Sequence, residues 1–202
     1  MPSTLLDTVV TSPANRDMRA SSTLPRYGAV AFVTVLTVVA AQVSVPVPFT
    51  PVPFTLQPMV VLIGAAALGA RLGAMSQLTY LALGIAGLPV FAASPVLPQG
   101  VARLLGPTGG YLMAYPLAAY AVGWLAERGW DRRYVPAVCA MASGLAIVFT
   151  GGVGWLALYV QPARGLDAAL ATGLYPFIVA DLVKLLFAAG LTPSLWWLLR
   201  ER

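Results

Sequence analysis

The sequence contains no histidine. That absence removes His-based metal sites, Ser-His triads and imidazole proton relays together. There is one cysteine, Cys139, so no internal disulfide can form. It sits in an apolar run, where it reads as a packed small residue. Charge is scarce: 9 % of the 202 residues are charged and 59 % are hydrophobic, whereas a soluble domain carries about 25 % charged residues. Mean hydropathy is +0.81. Lys184 is the only lysine, and no G-x-x-x-x-G-K-[ST] occurs, so ATP hydrolysis by a P-loop is excluded. The net charge of +5 is no nucleic-acid signature in such a chain; its distribution sets topology instead. These absences define an all-α integral membrane protein, multi-pass in the plasma (inner) membrane. No cofactor, metal, nucleic-acid partner or enzymatic activity is expected.

What the sequence does contain is a series of apolar stretches. Residues 1–26 are polar and lack the order of a cleaved signal peptide; they read as a disordered cytoplasmic tail. Six spans follow within residues 27–202: Tyr27–Ser44, Gln57–Ala70, Leu72–Phe91, Tyr111–Ala126, Tyr134–Val160 and Ala168–Leu199. Trp196 and Trp197 read as an interfacial anchor at the end of the last one.

Two opposite charges interrupt the sixth span, in Asp181-Leu182-Val183-Lys184. Each costs about 2.5–3.5 kcal/mol at the centre of a membrane helix. At i and i+3 they share one helix face. They form either an internal ion pair that makes the helix insertable or a polar clamp facing a cavity, and both can hold. Measured from about Thr172, where the apolar run around the pair begins, Asp181 lies about nine residues, or roughly 13 Å, below the outer end.

A tandem repeat, Pro46-Val-Pro-Phe-Thr50 and Pro51-Val-Pro-Phe-Thr55, separates the first two spans. Four prolines within it exclude a helix and remove ladder donors. The segment is expected to be extended, PPII-like and tucked against the helix ends, as a rigid connector or a lid. The turn Gly106-Pro-Thr108-Gly109-Gly110-Tyr111 opens the fourth span. Its first N–H groups either face a ligand carboxylate or simply close a tight turn.

Basic residues fix the orientation. With the N-terminus inside, Arg16, Arg19, Arg26, Arg71, Arg128, Arg132, Arg133, Arg200 and Arg202 are cytoplasmic, and Arg103 and Arg164 are outside. That bias follows the positive-inside rule. The repeat, Gln57, the Arg103 loop and the Gly-rich turn then meet on the outer side, around one externally open pocket.

Val-Pro-Phe-Thr-Leu-Gln (52–57), Gly-Leu-Pro-Val-Phe-Ala (87–92), Leu-Gly-Pro-Thr-Gly-Gly-Tyr-Leu (105–112) and Asp-Leu-Val-Lys (181–184) occur in this order. With them, the chain from about Ala29 to Leu199 resembles the BioY family, the biotin-specific substrate-binding (S) components of energy-coupling factor (ECF) transporters. The resemblance implies six transmembrane helices with both termini cytoplasmic. It implies capture of extracellular biotin, with energy from two ATPase subunits acting through a transmembrane scaffold (T) subunit, in contact with membrane lipid. It further implies that Asp181 and Lys184 bind the ureido ring. Arg103 or the turn Thr108–Gly110, Gly109 included, would hold the carboxylate. Tyr80, Phe91 and Tyr111 would wall the thiophane ring, with Gln57 at the pocket. The alternative is a self-sufficient secondary transporter of biotin or another vitamin. An intramembrane aspartyl protease would need a second membrane aspartate, and a rhomboid-type protease a histidine.

Overall fold

The computed structural model describes residues 4–11, 23–94, 97–159 and 165–200. Nine helices form among them: α1 (Leu5–Thr11), α2 (Thr23–Gln42), α3 (Gln57–Leu68), α4 (Ala70–Ile85), α5 (Val101–Leu104), α6 (Gly109–Glu127), α7 (Tyr134–Tyr159), α8 (Gly165–Gly173) and α9 (Tyr175–Arg200). Three of them, α2, α7 and α9, are long and apolar enough to cross a membrane. Large apolar side chains such as Phe32, Leu158, Val179 and Phe187 point outward. A surface of that kind fits hydrocarbon better than water.

Helix α6 is the core, packed on α3, α4 and α7. Small residues make this possible, because they let backbones approach without a side chain between them. Gly110, Ala114, Ala118, Ala119, Gly123 and Ala126 are all buried. A Cβ on Gly123 would lie 2.3 Å from the backbone of Gly69. Gly69 itself joins α3 to α4 at φ +86°, a conformation glycine adopts without steric cost. Around this core, α2 covers α3 and α4, while α9 covers α3 and α7.

Several expectations are revised. The region read as a tail contains α1, whose Leu5 and Val10 are buried, and α2 starts four residues earlier, at Thr23; Arg16 and Arg19 lie outside the described residues, as do Arg164 and Arg202. The third span ends at Ile85, leaving Phe91 in the following loop. That loop contains the single helical turn α5. Cys139 is exposed rather than packed.

The sixth apolar stretch is two helices, broken at Leu174. Pro176 supplies the reason. It has no N–H to donate to the carbonyl four residues back, and Phe177 N–H bonds Leu174 O at 2.9 Å instead of Gly173 O. The carbonyls of Thr172 and Gly173 are thereby left for other donors. Thr50 Oγ1 donates to Thr172 O at 2.5 Å, and Tyr111 OH donates to Gly173 O at 2.7 Å. In lipid an orphaned carbonyl costs several kcal/mol, so the break and its two partners form one feature.

The tryptophan pair also divides. Adjacent residues on a helix point about 100° apart, so only one can face the interface. Trp197 is exposed, while Trp196 is buried and donates its indole N–H to Asp131 Oδ2 at 2.5 Å. Asp131 belongs to the 3-10 turn Trp130–Arg132 between α6 and α7. Burial raises its carboxyl pKa, partly opposed by the Trp196 hydrogen bond and by Arg132.

Candidate functional site

The site is assembled from the proline-rich loop, the loop after α4 and the inner faces of α6 and α9. Strands β1 (Ser44–Val45) and β2 (Phe54–Thr55) pair antiparallel, Val45 opposite Phe54. They close residues 46–53 into a hairpin loop, bent at Val47–Thr50 by the bond from Thr50 N–H to Val47 O. The repeat is therefore folded on itself rather than extended throughout. The ladder stops where the prolines begin, since proline cannot donate to it.

On α9, Asp181 and Lys184 form the anticipated one-turn pair. Lys184 Nζ lies 2.7 Å from Asp181 Oδ1, with the carboxylate buried and the ammonium mostly so. The ammonium also donates to Thr55 O at 2.7 Å. The same strand places Phe54 against Phe177, with ring centroids 4.5 Å apart. Asp181 lies only about 9 Å from the start of α9, six residues at about 1.5 Å each, because that helix begins at Tyr175.

Thr55 is also part of the wall of an internal cavity of about 40 Å³, completed by Val52, Pro53, Gln57, Phe91, Ala92, Arg103, Thr108, Tyr111, Leu112 and Tyr115. The ion pair is thus joined to the cavity wall through one residue. At another part of the wall, Arg103 is only 2 % exposed. One Nη donates to the carbonyl of Ala92; Nη1 has no partner, and neither does Thr108 Oγ1. Burial lowers the Arg103 pKa, partly opposed by Tyr80. Among the described residues no carboxylate forms an ion pair with it. A buried guanidinium without an anion is costly unless something supplies one.

Fixed aromatics complete the wall. Phe91 sits in a notch at Gly84, where a Cβ would come within 2.0 Å of its ring. Tyr80 meets Phe91 edge-on at 5.5 Å. The Tyr80 hydroxyl accepts from Gln57 Nε2 at 2.7 Å and donates to Val90 O at 3.3 Å. Tyr111 lies over Gly152, where a Cβ would sit 2.1 Å from its ring.

Of the anticipated residues, Gln57, Phe91, Arg103, Thr108 and Tyr111 line this one cavity. Tyr80 stands behind Phe91, and Asp181 and Lys184 connect through Thr55. Gly109 packs instead on the turn before it, where a Cβ would meet Leu104 O at 1.8 Å. Thr55, Ala92 and Tyr115 were not anticipated. Tyr115 was findable, four residues after Tyr111 on the same helix face. Thr55 and Ala92 act through backbone carbonyls, which leave no side-chain signal.

The arrangement is that of a helical membrane protein enclosing a small site, with a charged donor–acceptor pair, apolar aromatic walls and an unpaired buried cation. A family model described as the BioY family matches residues 15–201, and the chain belongs to that family. It is similar to the biotin transporter BioY of Thermotoga maritima, 40 % identical over 159 residues, covering 77 % of this chain and 86 % of that one. It is similar to a probable biotin transporter BioY of Pyrococcus horikoshii, 41 % identical over 158 residues with the same two coverages, 77 % and 86 %. A crystal structure of the S component for biotin from an ECF-type ABC transporter superposes with a TM-score of 0.76 at 26 % identity, covering 90 % of this chain and 94 % of that one.

Proposed function

We propose that the chain captures biotin from outside the cell as the substrate-binding subunit of an ECF-type ABC transporter. The observation that carries this reading is the pairing of two chemistries around one cavity. The Asp181–Lys184 pair joins its wall through Thr55, and Arg103 Nη1 and Thr108 Oγ1 are unpartnered beside it. Biotin carries a ureido ring with two N–H donors and one carbonyl, an apolar sulfur ring, and a carboxylate on a flexible chain. Asp181, acceptor only when ionised, takes ureido N–H; Lys184, donor only, takes the ureido carbonyl. Tyr111, Tyr115 and Phe91 flank the sulfur ring. Arg103 and Thr108 receive the carboxylate.

Binding exchanges one acceptor for another. Lys184 holds Thr55 O, and the ureido carbonyl takes that place. The cavity of about 40 Å³ is well below the roughly 300–1,000 Å³ of ligand pockets. Releasing Thr55 frees the hairpin loop to swing out and admit the ligand, so the repeat acts as the lid.

On this reading six spans cross the membrane, α3, α4 and α6 supplying the three beyond the longest helices, and the bias of basic residues orients them. Both termini are cytoplasmic and the cavity opens outward in the plasma (inner) membrane. A T subunit and two ATPase subunits supply energy, consistent with the lack of a P-loop motif in this sequence. Calorimetric titration of the ligand-free, detergent-purified protein tests the proposal. Tight binding of biotin, with none of thiamine or riboflavin, is expected. Absence of biotin binding by folded protein would overturn it. Uptake in cells with and without the ATPase subunits separates the shared-energy route from self-sufficient transport.

A further inference from the structure

At the end of α3 away from Gln57, two recesses share the side chain of Leu68. One is an apolar groove of about 740 Å³, with walls from α1, α2, α3 and α9 that include Leu5, Val9, Phe32, Ile63 and Leu195. Its volume falls within the range of ligand pockets. The other is polar and is lined by Asp7, Arg26, Arg71, Glu127 and Arg128. Helix α1 lies between them, turning Leu5, Leu6 and Val9 to the groove and Asp7 to the polar side, where Thr4 just before it also lies.

The polar recess has a residual positive charge. Among the described residues three arginines face two acids, three minus two leaving one. Both acids are engaged: Asp7 pairs with Arg26 at 3.4 Å, and Glu127 Oε1 accepts the N–H of Ala70 at 2.8 Å. Arg128 lies 3.3 Å above the Trp124 ring and donates to the Trp124 carbonyl at 2.9 Å, leaving other N–H groups free to donate. Arg71, exposed on the first turn of α4, has no hydrogen-bond or ion-pair partner among the described residues. A basic pocket between helices that meets an apolar groove at Leu68 matches one kind of molecule, with an anionic head and a hydrocarbon tail.

We infer that this is a binding site for an anionic phospholipid. Its phosphodiester lies between Arg71 and Arg128, and one acyl chain runs along α2 in the groove. A zwitterionic lipid is disfavoured because its ammonium would fall among the arginines. The site shares no lining residue with the internal cavity, so lipid retention and biotin binding are separable readouts.

The test is native mass spectrometry of the full chain released from vesicles of phosphatidylglycerol and phosphatidylethanolamine in equal amounts. Wild type should retain phosphatidylglycerol preferentially. The double variant Arg71→Gln, Arg128→Gln should lower that preference by roughly tenfold or more. Ala67→Phe, which fills the groove, should reduce retention of both lipids. Ligand binding at the internal cavity, measured on each variant, reports that it is folded. No anionic preference in wild type, or the same preference in the arginine variant, overturns the inference. So does an Ala67→Phe protein that keeps its lipid but loses a co-purifying protein partner, since the groove then belongs to that partner.

Discussion

The two copies of Pro-Val-Pro-Phe-Thr share every residue and occupy different surroundings. In the first, Phe49 is 64 % exposed and Thr50 hydrogen-bonds the Thr172 carbonyl. In the second, Val52 is buried, Phe54 stacks on Phe177, and Thr55 O holds Lys184. The first copy contains the bend of the hairpin, while the second runs into β2 and is drawn onto α9. The difference teaches that this five-residue unit has no fixed fate of its own. Place along the hairpin decides it, through the one aromatic pair and the one charged donor within reach.

The largest effect should come from removing the anchor of the second copy. Asp181→Asn leaves Lys184 without its counter-ion, and biotin affinity should fall by roughly 2–5 kcal/mol in calorimetry. Normal binding by both Asp181→Asn and Lys184→Ala would dissolve the contrast between the copies. Next is the aromatic residue they share. Phe54→Ala should lose the stacked pair, about 0.5–1.5 kcal/mol beyond its area, seen chiefly as faster biotin release. Phe49→Ala should be silent, and equal effects would make the copies equivalent.

The prolines sharpen the comparison further. Replacing Pro51 and Pro53 by alanine should speed release by roughly four- to thirtyfold, since each substitution of this kind is worth about 0.4–1 kcal/mol through the flexible state and the two together about 0.8–2. Replacing Pro46 and Pro48 should change less, and unchanged kinetics in both would return the whole repeat to a connector. A variant remote from either copy gives the baseline. Burial raises the Asp131 pKa in the folded protein, so the folded state binds the proton more tightly than the unfolded one. Stability should rise as pH falls through the raised pKa toward the ordinary carboxylate value, and should be lost as pH climbs back through the raised pKa, levelling off above it. Asp131→Asn, which keeps an acceptor for Trp196, should flatten that dependence in thermal melts without changing the ranking of the two copies.

Much of this was legible in the sequence. The helical class followed from apolar length, and the Asp181–Lys184 pair from i, i+3 spacing. Arg103, named as the arginine of the outer loop, and Thr108, named from the Gly-rich turn, are far from that pair in sequence and line one cavity. What escaped was carried by the backbone. The carbonyls of Thr55 and Ala92 have no residue-specific signature. The break at Leu174 was missed because the apolar run from Ala168 to Leu199 continues across it, whereas the missing N–H of Pro176 makes a helix end there. Trp196 was read as an anchor because nothing local marks Asp131 as its partner.

The break at Leu174 has a mechanical consequence. Thr50 is tied to α8 through Thr172, before the break, and Thr55 to α9 through Lys184, after it. The short segment between them is a strut bolted across a joint. Flexing the joint changes the span between the bolts, and a stretch stiffened by two prolines cannot absorb that change. One bolt must let go, so the bending of the helix and the lifting of the loop are a single degree of freedom.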